Sequence, residues 1–150
     1  MGPEAKFYQN VKQNFKQFSL IRLENISLLG TPDLLVCNTS GHFRTIELKV
    51  TKGNKIRFSP HQIAFHVKHP DNTFIMVKAL GPLPKKTSSV FLFRGSRITE
   101  LAACGLALEP CNHCQRPNDH ESDLSESPFA SMTSVYGTDS SIACCLTLVA

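Results

Sequence analysis

Two short apolar runs that carry charge in their middle restrict this chain more than any other feature. The first is Gly30-Thr31-Pro32-Asp33-Leu34-Leu35-Val36; the second, whose glutamate lies fourteen residues after that aspartate, is Ile46-Glu47-Leu48-Lys49-Val50. Runs of this length, rich in Leu, Ile and Val and bounded by turn residues, read as buried strands. Side chains alternate along a strand, so Thr45, Glu47 and Lys49 share one face while Ile46, Leu48 and Val50 share the other. The Gly-Thr-Pro turn lets Asp33 open a strand, and Asn38-Thr39-Ser40-Gly41 supplies the loop of a hairpin returning at Phe43. A hairpin of that length brings Asp33 near Glu47.

That proximity has a chemical use. Two clustered carboxylates repel each other and cost desolvation, so a half-buried pair calls for a cation, and hard oxygen ligands favour Mg²⁺ or Mn²⁺. A metal so held polarises a phosphoryl oxygen and lowers the pKa of bound water. The ammonium of Lys49 orients the attacking water or offsets developing charge. The expected reaction is phosphodiester hydrolysis.

Pro32-Asp33 followed by Glu47-Leu48-Lys49 resembles the signature of the PD-(D/E)XK nuclease superfamily. Arg22-Leu23-Glu24-Asn25 upstream and Ser59-Pro60-His61-Gln62 downstream resemble the flanks of its small phage and bacterial branch, which includes VRR-NUC and Holliday-junction-resolvase-like proteins. The likeness covers roughly the first hundred residues. It implies a restriction-endonuclease-like αβββαβ core, and metal ligands at Asp33, Glu47, the Leu48 backbone carbonyl and Glu4 on the first helix. It also implies catalytic roles for Asp33, Glu47, Lys49, Gln62 and Glu4. Branched DNA such as a Holliday junction as substrate, and a homodimer with two sites for two strands, follow from the same likeness.

Charge is divided unevenly along the chain. Residues 1–100 carry 15 Lys+Arg against 6 Asp+Glu, net +9, whereas residues 101–150 carry 1 against 6, net −5. A basic catalytic half suits a polyanion. No apolar run approaches the roughly 18 residues that span a bilayer, and no export signal opens the chain, so the expectation is a soluble cytoplasmic protein, in the host cytoplasm if phage-encoded. Neither a membrane partner nor a small-molecule cofactor is expected.

In chain order, Pro3 marks a helix start and Glu4 suits its positive end; the alternative to a role in the site is that this dipole contact alone accounts for Glu4. Phe7, Val11, Phe15 and Phe18 recur at helical spacing. Ser19–Leu23 alternates as a strand whose Arg22 and Glu24 share a face; Arg22 contacts phosphate, braces an acid or forms a solvated ion pair with Glu24. Lys52, Lys55 and Arg57 lie in a polar loop that suits a phosphate backbone, with a solvated loop as the bland alternative. Ser59 caps a helix from Pro60 to His69, on which Gln62 and His66 share a face. The spacing of His61, His66 and His69 does not present three ligands together, so these read as surface or core histidines. Thr73–Leu80 and Val90–Arg94 are further strands around a Gly81–Lys86 turn, and Ser96 is expected to cap a last helix from Arg97 to about Leu106.

The expected class is α/β, a mixed central sheet flanked by helices, with a nuclease-like domain over 1–106 and an acidic, Ser- and Cys-containing extension over 107–150. In the extension, Cys111, His113 and Cys114 resemble half of a zinc site, which Cys104 or the distant Cys144 and Cys145 would have to complete, although free thiols are the expected state. Residues 116–141 have the composition of a flexible segment, and the apolar run Ile142–Val149 suggests an edge strand or oligomer contact. Three functions follow in order: a Mg²⁺- or Mn²⁺-dependent DNA endonuclease, a non-catalytic nucleic-acid-binding module, and a small zinc-stabilised interaction protein.

Overall fold

A computed structural model describes residues 1–23, 29–38, 40–81 and 89–111. The elements run α1 (Pro3–Asn14), β1 (Ser19–Arg22), β2 (Leu34–Cys37), β3 (Phe43–Thr51), α2 (Pro60–Lys68), β4 (Thr73–Ala79), β5 (Ser89–Arg94) and α3 (Ile98–Cys104), the last flanked by single 3₁₀ turns at Gly95–Arg97 and Gly105–Ala107. The five strands form one mixed sheet in the order β1-β2-β3-β4-β5. Among the described residues only β3 and β4 run parallel. A parallel pair needs a crossover, and α2 supplies it.

The sheet separates two apolar cores. On one side Ile46, Leu48, Phe74, Met76, Val90 and Leu92 meet Phe7, Val11 and Phe15 of the α1 segment. On the other, Ile75, Val77 and Phe93 meet Ile98 and Leu101 of α3 and Ile63 of α2. Side-chain alternation and the register Ile46↔Phe74, Leu48↔Met76 account for this division. An α/β class with helices on both faces is therefore what forms. Among the described residues no helix is long and apolar enough to cross a membrane.

Several local expectations change. The aromatic stripe outlasts its helix: α1 stops at Asn14, and Phe15 and Phe18 reach the core from the following turn. Ser96 does not cap α3, which begins at Ile98 after the 3₁₀ turn. That turn is set by Gly95, where a Cβ would collide with Thr73 Oγ1 and crowd His66 Nδ1. Packing also continues past residue 106: Leu106 N–H donates to Asn54 O at 2.9 Å, Leu108 joins the second core, and Cys111 N–H donates to Leu92 O at 2.8 Å. Glu24, most of the Gly81–Lys86 turn and the extension beyond Cys111 lie outside the described residues.

Candidate active site

The β2–β3 ladder pairs Leu34 with Ile46 and stops there. One step further along that register Asp33 would face Glu47, and it is at this point that the strands part. Asp33 spans the gap with its side chain: Leu48 N–H donates to Asp33 Oδ2 at 2.8 Å. The Asp33 carbonyl meanwhile accepts from Leu23 N–H at 2.8 Å, tying the turn to the end of β1. N–H and C=O of one strand residue point to the same edge, so the Leu48 carbonyl faces the same gap.

Glu47 lies on the opposite sheet face from α1 and is 1% exposed. Its Oε1 receives Lys49 Nζ at 3.1 Å and the Gln62 side-chain amide. Its Oε2 is buried and has no hydrogen-bond partner among the described residues. Burial first, then the Asp33 carboxylate, push the Glu47 pKa up to about 7; the charge and hydrogen bond of Lys49 pull the other way, and Glu4 adds a further upward push. Like charge beside a desolvated acid raises its pKa, and a cation relieves both penalties.

Gln62 is delivered by the start of α2. Ser59 and Gln62 form a reciprocal capping box: Gln62 N–H donates to Ser59 Oγ at 3.2 Å and Ser59 N–H donates to Gln62 Oε1 at 2.9 Å. The turn carrying Asp33 docks on the same spot. Gly30, at φ 87°, lies so close to α2 that a Cβ there would collide with the His61 carbonyl. One helix end thus sets the Asp33 turn and the Gln62 amide against each other.

Two depressions meet at Glu4, which is exposed and lines both. A groove of about 440 Å³ is lined by Lys49, Lys52, Lys55 and Arg57. A notch of about 60 Å³ is lined by Tyr8, Arg22, Asp33 and Leu48. The Arg22 guanidinium stands 5.0 Å from the Tyr8 ring centroid, a cation–π distance. Asp33, Glu47, Lys49 and Gln62 therefore come together, with Arg22 on one side and the three loop cations on the other. Glu4 stands at the rim.

Among the described residues no three His, Cys, Asp or Glu side chains are close enough to hold an ion by themselves. The fit of a divalent cation rests instead on Asp33, the unpartnered Glu47 oxygen and the Leu48 carbonyl, a hard-oxygen set with room for water. Cys104 is exposed and Cys111 half-buried, both as free thiols; His113 and Cys114 lie outside the described residues.

No family model matches the chain, and no curated protein matches it. Among solved structures it is similar to Hjc, a Holliday junction resolvase from the archaeal hyperthermophile Archaeoglobus fulgidus. The identity is 17% and the TM-score 0.45, over 63% of this chain and 74% of that one. What the site can do follows from its own donors and charges.

Two neighbours of the site, Phe58 and Tyr8, go beyond the residues singled out from sequence. Phe58 places its ring 5.7 Å from Lys49 Nζ, and Tyr8 carries Arg22. His66, fully buried on α2, has neither ring nitrogen bonded among the described residues, and burial, then the Lys49 charge, pull its pKa down to about 4. The Ser59-x-x-Gln62 spacing of a capping box was legible beforehand. The aromatic contacts join residues 9 to 14 positions apart on different elements, and nothing local signals them.

Proposed function

We propose that this chain is a divalent-metal-dependent nuclease that hydrolyses phosphodiester bonds in DNA. The observation that carries the reading is the buried Glu47 carboxylate, with one oxygen held by Lys49 and Gln62 and the other unpartnered, beside Asp33. An acid whose pKa is driven to about 7 by burial first and then by a second acid is costly to keep for stability alone, which favours a site.

Asp33, Glu47 and the Leu48 carbonyl would hold Mg²⁺ or Mn²⁺, with Glu4 contributing from the rim. When bound, the ion supplies a Lewis acid for the phosphoryl group and an acidified water. Glu47 serves as a ligand in its ionised form. Lys49 keeps that form in place through its 3.1 Å contact and presents its remaining N–H donors to the phosphoryl oxygens as negative charge builds. Gln62 donates to the same carboxylate, which fixes its rotation. Lys52, Lys55 and Arg57 bear on the phosphate backbone along the groove and Arg22 on the other side of the acids, which supplies affinity without reading sequence. The sequence resemblance adds branched DNA as the preferred form and a homodimer as the working unit.

The test is incubation with Mg²⁺, Mn²⁺ or EDTA and labelled linear, flapped and four-way DNA of matched sequence. Cleavage that requires the metal supports the reading, and a preference for four-way DNA extends it to junctions. Binding to all three without cleavage under any metal identifies a non-catalytic module instead. Light scattering on the same sample reports whether the chain is a dimer.

A further inference from the structure

The turn Phe58-Ser59 touches two of the proposed catalytic side chains at once, although neither of its residues reaches the acids. Ser59 N–H donates to Gln62 Oε1 at 2.9 Å. An amide has one acceptor end and one donor end, so fixing Oε1 on the main chain leaves Nε2 to be directed elsewhere. It is directed at Glu47 Oε1. Were the amide turned over, its oxygen would face a carboxylate oxygen and the two would repel. The return bond, Gln62 N–H to Ser59 Oγ at 3.2 Å, holds the helix start that makes this geometry available.

Phe58 acts on the other partner of Glu47. It stands immediately before the N-cap, and both it and Ile63, the fourth residue of α2, pack against the second core; these are the two positions of a hydrophobic staple. Anchoring both on one core fixes the direction in which the chain enters the helix. It also sets the ring face 5.7 Å from Lys49 Nζ. A ring attracts the ammonium without using a directional acceptor, so Lys49 is seated while its N–H donors stay available to Glu47 and to a phosphoryl oxygen.

We infer that Phe58 and Ser59 are positioning residues: the staple and capping box that start α2 also aim the Gln62 amide and the Lys49 ammonium at Glu47. The inference rests on the nuclease reading for its catalytic consequence, and on hydrogen bonding alone for its structural one. A helix-capping device is here joined to a site, so that the sequence Phe-Ser-Pro-His-Gln-Ile serves both folding and chemistry.

The test uses the full chain and four variants: Ser59→Ala, Ser59→Thr, Phe58→Leu and Phe58→Tyr. Steady-state cleavage of the best DNA from the panel above is measured in Mg²⁺, and the Gln62 side-chain NH₂ signals are followed by NMR without metal. Ser59→Ala is expected to lower kcat about ten- to a hundredfold with KM little changed, the size typical of a lost supporting contact at a metal site. Its Gln62 NH₂ protons should exchange faster with water. Ser59→Thr, which also caps, should restore both. Phe58→Leu keeps an apolar staple without a ring and should lower kcat several-fold, with Phe58→Tyr returning it to the parental rate.

A Ser59→Ala protein that melts at lower temperature yet keeps parental kcat and parental Gln62 signals overturns the role of the Ser59 hydroxyl, because the cap is then structural only and the main-chain N–H of residue 59 aims Gln62 without it. Equal rates for Phe58→Leu and Phe58→Tyr overturn the Lys49 half of it. If the parent cleaves none of the DNAs, the nuclease reading falls, and the NMR comparison still decides whether Ser59 orients Gln62.

Discussion

The two faces of the central sheet are built from the same strands and do different work. The α1 face of β3 and β4 carries Ile46, Leu48, Phe74 and Met76, all buried and apolar. The opposite face mixes Ile75 and Val77 with Thr45, Glu47 and Lys49. Among the described residues the buried side-chain polar atoms without a protein partner are Thr45 Oγ1, Glu47 Oε2 and both nitrogens of His66. All belong to this second face or to the helix covering it. Each such atom costs about 1–3 kcal/mol when nothing satisfies it. One face is thus optimised for burial, and the other gives up stability where the candidate site lies, the pattern expected when function and packing compete.

The sharpest way to break that contrast is to remove the acids. Asp33→Ala and Glu47→Ala should each lower metal-dependent cleavage by at least about a hundredfold, the scale of a lost charge-stabilising group. DNA binding in a gel shift should survive, since an anion facing a polyanion has been removed. Lys49→Ala should lose cleavage comparably while titration calorimetry still detects Mg²⁺ binding. Parental activity in Asp33→Ala would mean that the second face is not a nuclease site.

The α1 face should respond in the opposite sense. Leu92→Ala empties a fully buried position and is expected to cost about 2–5 kcal/mol in urea unfolding, with cleavage by the folded fraction unchanged. A fall in kcat larger than the loss of folded protein would show that the two faces are coupled.

The pH dependence of stability separates the faces again. In the metal-free protein Glu47 has its pKa raised from 4.5 to about 7, so folding holds its proton more tightly than the unfolded chain does. Its contribution is complete below pH 4.5 and is lost as pH rises through 7, on the order of 3 kcal/mol in all. His66 works in reverse: with its pKa lowered from 6.5 to about 4, stability is complete above 6.5 and falls as pH drops towards 4. The two slopes oppose each other between pH 4.5 and 6.5, so denaturant midpoints of the metal-free protein should form a plateau there, with an acid limb below it from His66 and an alkaline limb above it from Glu47. Glu47→Gln should remove the alkaline limb and leave the His66 slope uncovered across the plateau, and added Mg²⁺ should act in the same direction, because a bound cation favours the ionised carboxylate. An unchanged alkaline limb in Glu47→Gln would remove Glu47 as its source.

The smallest effect has the most telling sign. Thr45→Val replaces a buried hydroxyl lacking a protein partner by a methyl of similar volume and should raise the melting temperature by a few degrees, the equivalent of about 1 kcal/mol. A lower melting temperature would indicate that the hydroxyl has a partner outside the protein, such as an internal water.

Much of the architecture was legible because it depends on short-range pattern. The order of helix, three strands, helix, two strands and helix follows from the spacing of apolar residues and from Pro3, Pro60 and Pro70, and the structure reproduces it. Alternation along residues 45–50 assigned Glu47 and Lys49 to one face, and a capping residue at Ser59 was readable from its neighbours. Where expectation failed, a contact between distant segments had intervened. The expected cap at Ser96 gave way to a turn dictated by the approach of Gly95 to Thr73 and His66.

Sequence alone determined which side chains could meet, because strand period, hairpin length and helix caps are properties of a few adjacent residues. It could not determine how they would meet. The bond from Leu48 N–H to Asp33, the fit of Gly30 under the His61 carbonyl, the Phe58 ring beside Lys49 and the burial that drives the Glu47 pKa to about 7 all exist only once three layers close on one another. Desolvation and Coulomb energy depend on everything within several ångströms of a charge, and that neighbourhood is assembled by the fold.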